Sequence, residues 1–329
     1  VHLVGGRIHD TSLKAQLESL WAVCRRQHPD FQARMLMVAA KEMDIPFMPF
    51  LPDSRYWQFG WGAKSRVFFE TTSNDGGALG RSWQRNKITS KELMHAMGLP
   101  TPMHVLVNQE DDLTAGVGQI GFPCVIKPFD GGGGKGVTAN INSADDLQRA
   151  FRHARQFSNE PLMLEQHIDG IDHRLMVIGG KLVAAIRREA SYVIGDGVST
   201  VRELLNQLNA RRFENLVKSH YLRPIPADEV LVQHLRTYGI DLEDVLSPGH
   251  KLSLRSNANR STGGITADVT DCLHPQVRAM AEQFALAMGL DAAGLDYLTT
   301  DITRPSHEAG GAFIEINATP GMAVFIAAG

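Results

Sequence analysis

The amino-acid sequence predicts an α+β protein with a small α/β unit at its N-terminus, and three observations support this fold class. Residues 122–127 and 137–141 carry buried-strand patterns on either side of a glycine-rich loop. Residues 174–178 and 181–186 carry two more strand patterns, joined by two glycines as in a β-hairpin. Residues 1–86 combine helix and strand patterns. Strands linked by tight turns are typical of antiparallel sheets, so we expect the larger part of the chain to be α+β.

Composition excludes several classes of protein. The 329 residues are 43% hydrophobic and 21% charged, which is typical of a soluble globular chain and not of a disordered one. A formal charge of -3 provides no overall basic field for nucleic acid or an anionic membrane. No apolar run approaches the roughly 20 residues of a membrane span, and the first ten residues are no signal peptide. The 3 cysteines follow no metal or disulfide pattern, so we expect a cytoplasmic protein.

The first 86 residues are predicted to form a separate unit. Apolar residues recur at helical spacing over 13–24, and residues 33–43 form a second helical pattern that the Ile45-Pro46 step ends. Residues 67–69 are a short strand signal before a turn-rich stretch. Because the sequence starts at Val and not at Met, we also expect a trimmed or partial chain.

Two further subdomains are predicted, over residues 87–167 and 168–329. A helix at about 88–97 opens the first of them. Ser143, with Asp146 three residues later, is a capping-box-like start for the helix that follows the second strand. The pattern is therefore strand, glycine loop, strand and helix.

The last subdomain contains a predicted helical insertion at about 200–249. Thr200 and Glu203 form the capping pattern of its first helix. Pro275 then begins another helix, because proline is favoured in the first turn. The strand patterns at 295–298 and 312–317 follow, and we expect them to be antiparallel neighbours.

A run of four glycines lies over residues 131–134, with Lys127 before it and Lys135 after it. Glycine lets backbone N–H groups approach and wrap a polyphosphate, and the lysines would balance its charge. The pattern is no Walker A loop, because Gly136 stands where that loop needs Ser or Thr. It also does not open a Rossmann unit, because a strand and not a helix follows it. A mobile hairpin turn is the alternative.

Two carboxylates and an amide are predicted to converge at the end of the chain. Glu315 and Asn317 are two residues apart in a strand, so they face the same side, while Ile314 and its alternate neighbours face the core. Asp296 lies on the strand expected beside them. Oxygen donors on an apolar sheet favour Mg²⁺ bound together with substrate phosphates. The alternative is that Glu315 is a solvent-facing residue paired with a lysine.

Residues 255–264 combine cations, amides, hydroxyls and a glycine pair. This composition suits a phosphoryl group and a carboxylate, although a polar surface loop has a similar one. Alternation puts Lys251, Ser253 and Arg255 on one face of a strand and two leucines on the other. We therefore expect Arg255 to line a cleft.

In order and spacing, these motifs resemble the ATP-grasp superfamily. Over residues 35–321 the chain is most similar to the ATP-grasp region of the cyanophycin synthetases and related amino-acid and peptide ligases. The stretches that carry this closer resemblance are residues 61–66, 170–174, 195–200, 203–205 and 255–264. The resemblance implies two lobes that grip ATP under a glycine-rich lid. From the length of the sequence, we expect this chain not to carry the separate ligase domain that follows the ATP-grasp region in those synthetases.

The resemblance also implies roles for individual residues. The nucleotide-binding residues would be Lys87 and Lys127 on the phosphates, Gly132, Gly133, Gly134 and Lys135 in the lid, Glu165 and Ile168 at the adenine, and Asp172 near the ribose. Asp172 stands where Glu is commoner in the family. Mg²⁺, or Mn²⁺, would bind Asp296, Glu315 and Asn317. We expect Arg255, near the γ-phosphate, and Asn259 to be catalytic. Substrate contacts are expected from Arg174, Arg188, Ser261, Gly263 and Gly264. For Arg174 and Arg188 the alternative is an ordinary surface ion pair.

The implied reaction is activation of a carboxylate by ATP to an acyl phosphate, followed by attack of an amine. The expected partners are therefore ATP, a carboxylate and an amine, the last two being amino acids or peptides, and the resemblance favours a homo-oligomer. Two alternatives remain, an ATP-grasp phosphotransferase and a non-catalytic nucleotide-binding subunit. The predicted metal-binding carboxylates argue against a non-catalytic subunit, since a family member that had lost its activity should lose these carboxylates first.

Overall fold

The computed structural model describes residues 11–27, 29–51, 54–131, 134–214, 224–255, 258 and 263–328. The chain divides into two compact units, Val1–Asp75 and Gly76–Gly329. The sequence pattern puts the first boundary after residue 86, one helix further along the chain.

The first unit contains two helices and a four-stranded antiparallel sheet. The helices are α1 (Thr11–Gln27) and α2 (Phe31–Glu42). The strands are β1 (Phe47–Pro49), β2 (Tyr56–Phe59), β3 (Arg66–Phe69) and β4 (Thr72–Ser73), in the sheet order β1-β2-β3-β4. The two predicted helices and the strand at 67–69 are confirmed. The sequence did not predict the other strands, because two to four residues are too few to show an alternation.

Two helices, α3 (Ala78–Arg85) and α4 (Lys87–Ala96), begin the second unit. Asn86 caps the N-terminus of α4, since its side chain accepts hydrogen bonds from the backbone N–H groups of Ile88 and Thr89 at 3.0 and 3.2 Å. Gly80 explains why α3 belongs to this unit. A Cβ atom at Gly80 would lie 1.7 Å from the carbonyl oxygen of Met288, so the two backbones are in direct contact.

The next elements form a four-stranded antiparallel sheet covered by two helices. They are β5 (His104–Val107), α5 (Asp112–Ile120), β6 (Cys124–Pro128), β7 (Thr138–Ile141), α6 (Ala144–Ala154) and β8 (Leu162–Gln166). The sheet order is β5-β8-β6-β7, and we call residues 104–166 the four-stranded lobe. Ser143 begins α6 as predicted, because its hydroxyl accepts a hydrogen bond from the Asp146 N–H at 3.2 Å.

The remaining elements complete the second unit. They are β9 (Ile171–Ile178), β10 (Lys181–Glu189), β11 (Tyr192–Ile194), α7 (Val201–Glu214), α8 (Glu229–Arg236), β12 (Lys251–Ser253), β13 (Ile265–Asp268), α9 (Pro275–Ala287), β14 (Ala292–Thr299), α10 (Ser306–Ala309), β15 (Ala312–Asn317) and α11 (Ala323–Ala328). Five of the strands form an antiparallel sheet in the order β13-β10-β9-β14-β15, which confirms the predicted hairpin and the predicted β14–β15 pair. We call this sheet, with α4 and α9, the five-stranded lobe.

Each of these parts has its own apolar core. In the five-stranded lobe, Phe284 of α9 and Met94 of α4 are buried with Phe313 of β15. A separate core lies between the four-stranded sheet and its helices α5 and α6. A third core joins α7 and α8, which lie within the predicted helical insertion, to the two-stranded sheet β11-β12, whose strands flank that insertion in the sequence. The predicted capping pair begins α7, because the Thr200 N–H donates to Glu203 at 2.8 Å and the Glu203 N–H donates to the Thr200 hydroxyl at 3.2 Å.

Across the part of the chain that the structure describes, every helix is too short or too polar to cross a membrane.

Candidate active site

A cleft of about 1000 Å³ in the second unit is lined by residues from all three of its sheets. Eleven of the predicted site residues line it, namely Lys87, Lys127, Gly134, Lys135, Ile168, Asp172, Arg174, Arg188, Asp296, Glu315 and Asn317. Gly132, Gly133, Asn259 and Ser261 lie outside the described residues. The fold therefore brings most of the predicted phosphate, metal and substrate residues to one surface.

Three lysines reach this cleft from different elements. Lys87 begins α4, Lys127 lies on β6, and Lys135 lies in the loop between β6 and β7. The Lys87 ammonium donates a hydrogen bond to the carbonyl of Gly131, so it touches the start of the glycine loop. Burial lowers the pKa of Lys87, and the Glu315 carboxylate acts in the opposite direction. The cleft therefore provides cations at the place where the resemblance expects phosphates.

Glycine is required in the described part of this loop. Gly134 and Gly136 have φ values of 78° and 67°, a conformation that residues with a side chain rarely adopt. A Cβ atom at Gly136 would also lie 3.0 Å from the ring of Phe157. Gly134, the last residue of the predicted glycine run, and Gly136 thus have a local reason in the backbone, apart from any role at phosphates.

Glu165 is not on the cleft surface. It lies on β8, its carboxylate binds the ammonium group of Lys127, and its other oxygen is 2.9 Å from the ammonium group of Lys91. Burial alone would raise the pKa of Glu165, but the two lysines outweigh it and lower that pKa to about 2. The Glu165 side chain therefore binds two lysines, whereas Ile168 lines the cleft. The adenine contacts expected of both residues stay predictions.

The predicted metal residues lie side by side on two strands. Asp296 of β14 is the direct cross-strand neighbour of Glu315 on β15, and Asn317 pairs with Gly294. No group of three or more His, Cys, Asp or Glu side chains within the described ranges is arranged to hold a metal ion. The set here is two carboxylates and one amide, and Mg²⁺ is commonly held by one or two carboxylates together with substrate phosphates. The donor chemistry thus fits Mg²⁺ bound with a nucleotide.

The prediction that Ile314 faces the core is wrong. The strand register shifts between Asp296 and Tyr297, which pair with Glu315 and Phe313, so Ile314 is left without a direct partner. Such a bulge turns two successive side chains to the same face. Ile314 consequently lines the cleft beside Glu315, while Phe313 is fully buried in the core.

Two arginines and two aspartates form a network on the cleft floor. Arg174 donates to Asp296 at 2.6 Å, while Arg188 donates to Asp172 at 2.7 Å and lies 3.1 Å from Asp296. Burial raises the pKa of Asp172 to about 6 against the opposing charge of Arg188. The arginines predicted to bind substrate are therefore already paired with carboxylates that line the same cleft.

Arg255 does not line the cleft, which corrects the expected geometry. Lys251 and Ser253 of β12 do line it, and the intervening leucine is buried, as the alternation predicts. Arg255 lies beyond the end of that strand and is 3% exposed. Its guanidinium donates to the Asp228 carboxylate at 2.8 Å and to the Pro226 carbonyl at 2.9 Å. A catalytic role for Arg255 stays a prediction.

The glycine pair that follows is also outside the cleft lining. The Gly263 carbonyl accepts a hydrogen bond from the buried Arg212 side chain. Gly263 has a φ of 88°, and a Cβ atom there would lie 2.4 Å from the Ile225 side chain. This position therefore requires glycine. The predicted substrate contacts of Gly263 and Gly264 remain untested.

Several cleft residues were not predicted. His167, Glu189 and Tyr192 line the cleft, and the Lys251 ammonium lies 3.9 Å from the centre of the Tyr192 ring. These residues lie at or next to the ends of strands, and no motif in the sequence distinguishes them from ordinary surface residues. Lys91, which does not line the cleft, was not predicted either, but its spacing of four residues from Lys87, which places both on one face of α4, is a signal that could have indicated it.

Comparison with known proteins identifies the family. Residues 92–179 match the model of the ATP-grasp domain. Over 324 residues, 98% of this chain, the sequence is 34% identical to a cyanophycin synthetase of Nostoc sp. (strain PCC 7120 / SAG 25.82 / UTEX 2576). This chain belongs to the ATP-grasp superfamily. The match spans 36% of that relative, so the ATP-grasp chain described here corresponds to about a third of the length of the curated relatives it matches.

Two further similarities agree with this family. The chain is 31% identical over 242 residues, 72% of its length and 32% of the relative's, to the glutathione biosynthesis bifunctional protein GshAB of Streptococcus mutans serotype c (strain ATCC 700610 / UA159). In structure it resembles a bifunctional glutathione synthetase from Pasteurella multocida, with a TM-score of 0.67 and 22% identity, covering 95% of this chain and 44% of the other. This structural similarity supports the ATP-grasp fold, as the resemblance of the motifs implies.

Proposed function

We propose that the chain binds ATP with Mg²⁺ in the cleft and joins a carboxylate to an amine, releasing ADP and phosphate. One observation carries this proposal, the meeting of three lysines from separate elements with two carboxylates and an amide in a single cleft. A nucleotide triphosphate needs both cations and metal-binding oxygens. The lysines are Lys87, Lys127 and Lys135, and the oxygen donors are Asp296, Glu315 and Asn317. The names of the matched relatives, cyanophycin synthetase and glutathione biosynthesis bifunctional protein, support a synthetase reaction of this class.

The first step brings two anions together. An oxygen of the substrate carboxylate forms a bond to the γ-phosphorus while the bond from that phosphorus to the ADP oxygen breaks. The ammonium groups of Lys87 and Lys127 donate to phosphate oxygens and reduce the repulsion between the anions. Asp296, Glu315 and Asn317 would hold Mg²⁺, which when bound neutralises phosphate charge and orients the phosphates.

The second step forms the amide. The amine attacks the carbonyl carbon of the acyl phosphate, loses a proton, and phosphate leaves. Water would compete with the amine for this intermediate, so the site has to exclude it. Gly134 and Lys135 of the loop between β6 and β7 line the cleft together with Lys87 and Lys127, and backbone N–H groups of this loop would approach the phosphates as a lid.

Amino acids or peptides are the proposed substrates. The matched relatives are named for the synthesis of cyanophycin and of glutathione, and these names support substrates of this class. Arg174 and Arg188 now form ion pairs with Asp296 and Asp172. Their guanidinium groups would bind a substrate carboxylate in addition to these aspartates.

The decisive experiment measures ADP release with a panel of amino acids and short peptides, singly and in pairs. With the correct acid and ATP, added hydroxylamine should yield a hydroxamate, because it attacks an acyl phosphate in place of the amine. Release of AMP and pyrophosphate would reject the acyl-phosphate route. A phosphorylated product that forms without any amine would instead assign a phosphotransferase, and absence of turnover with intact ATP binding would assign a binding subunit.

A further inference from the structure

Lys91 is a fully buried lysine that does not reach the cleft. It lies one helical turn after Lys87 on α4, its side chain is 2% exposed, and its ammonium is 2.9 Å from a Glu165 oxygen. The other Glu165 oxygen accepts a hydrogen bond from Lys127. One carboxylate therefore joins a lysine that has no direct contact with the cleft to a lysine that lines it.

This contact crosses between the two lobes. Helix α4 belongs to the five-stranded lobe, because Met94 is buried in the core of that lobe. Glu165 lies on β8 of the four-stranded lobe, directly opposite Val125 on the neighbouring strand β6, which also carries Lys127. The ion pair of Lys91 and Glu165 thus attaches the helix that begins with Lys87 to the sheet that carries Lys127.

The charges make this attachment strong and specific. A carboxylate as buried as Glu165 is costly unless cations neutralise it, and both neighbouring lysines act against the effect of its burial. Burial also lowers the pKa of Lys91, and the Glu165 carboxylate opposes that effect. Without Lys91, Lys127 would be the one ammonium group in direct contact with Glu165 among the described residues, and it would be drawn towards the carboxylate and away from the cleft.

We propose that Lys91 is a positioning residue which, through Glu165, sets the spacing of Lys87 and Lys127 across the two lobes and so shapes the site for the nucleotide phosphates. This inference rests on the proposed function, because it assumes that the two cleft lysines bind ATP. Lys91 itself touches neither nucleotide nor substrate.

The test is the affinity of the full chain for the ATP analogue AMP-PNP with Mg²⁺, measured by calorimetry on protein whose folding is checked by circular dichroism. Lys91→Met keeps most of the side-chain volume and removes the charge. We expect its dissociation constant to rise by about 10-fold to 100-fold, the scale for losing a partner that orients a binding group. Lys91→Arg restores a charge to Glu165 and should recover most of that loss. Lys181→Met, the same change at an exposed position, should bind like the wild type.

The outcomes separate positioning from a merely structural role. If Lys91 only stabilises the fold, Lys91→Met will unfold more easily but its folded fraction will bind AMP-PNP within about twofold of the wild type, and the inference is then rejected. If Lys91→Met does not fold, the double variant Lys91→Met/Glu165→Gln, which removes both charges of the pair, carries the test by the same criterion. Absence of AMP-PNP binding in the wild type would reject the proposed function itself.

Discussion

Replacing Glu165 by Gln tests the central electrostatic feature of this structure. The change keeps the shape of the side chain but leaves the ammonium groups of Lys91 and Lys127 close together without their carboxylate. The two lysines lower the pKa of Glu165 from an ordinary 4.5 to about 2. At 1.36 kcal/mol for each pKa unit, this difference corresponds to about 3 kcal/mol of folding free energy. That figure agrees with the roughly 3–5 kcal/mol that breaking a buried ion pair costs.

The sign of the pH dependence follows from the same values. Because the pKa of Glu165 is lower in the folded state, its contribution is complete above about pH 4.5 and is lost as the pH falls towards 2. We expect Glu165→Gln to lower the free energy of unfolding by about 3 kcal/mol at pH 7, and more than half of this difference to disappear by about pH 3. Urea unfolding followed by circular dichroism measures both quantities.

Glu160→Gln is the matched control, because the side chain at position 160 is exposed. It should change the free energy of unfolding by no more than about 0.5 kcal/mol. The reasoning is refuted if Glu165→Gln costs less than about 1 kcal/mol at pH 7, or if its cost is the same at pH 3 and pH 7.

Three further predictions concern the metal residues, a backbone contact and a cysteine. Glu315→Gln should abolish ADP release while the free energy of unfolding changes by less than about 1 kcal/mol, and retained turnover would reject the metal assignment. Gly80→Ala should unfold the second unit or lower its free energy of unfolding by more than about 3 kcal/mol, because the new Cβ atom would meet the Met288 carbonyl. The control is Gly118→Ala in α5, where a Cβ atom would have no neighbour within 4 Å. In the same unfolding assay it should be neutral or stabilising by about 0.5–1 kcal/mol. Burial raises the pKa of Cys124 to about 11, so at pH 8 this thiol should resist alkylation until the protein is denatured, as mass spectrometry of the labelled peptide would report.

The helix starts show what local sequence can predict. Ser143 and Thr200 begin α6 and α7 as expected, because each capping hydrogen bond joins residues only three apart. Asp296 and Glu315 were also predicted to meet, since antiparallel neighbours bring facing side chains together. In each case the pattern and the contact lie within one element or one pair of neighbouring strands.

Features that depend on distant parts of the chain were decided only by the tertiary structure. The bulge that turns Ile314 towards the cleft arises from the register between two strands. The alternation of polar and apolar residues within one strand does not predict that register. Arg255 continues the polar face of its strand in sequence, yet it turns to Asp228 because a buried guanidinium needs a carboxylate and the start of α8 supplies one.

The sequence by itself determined the ATP-grasp fold, the glycine loop, and the residue types that meet in the cleft, because motif order and local hydrogen bonding carry that information. It did not determine that Glu165 is buried between Lys91 and Lys127. Three separate elements supply these side chains, and their charges become mutually dependent only when the folded lobes exclude water from all three.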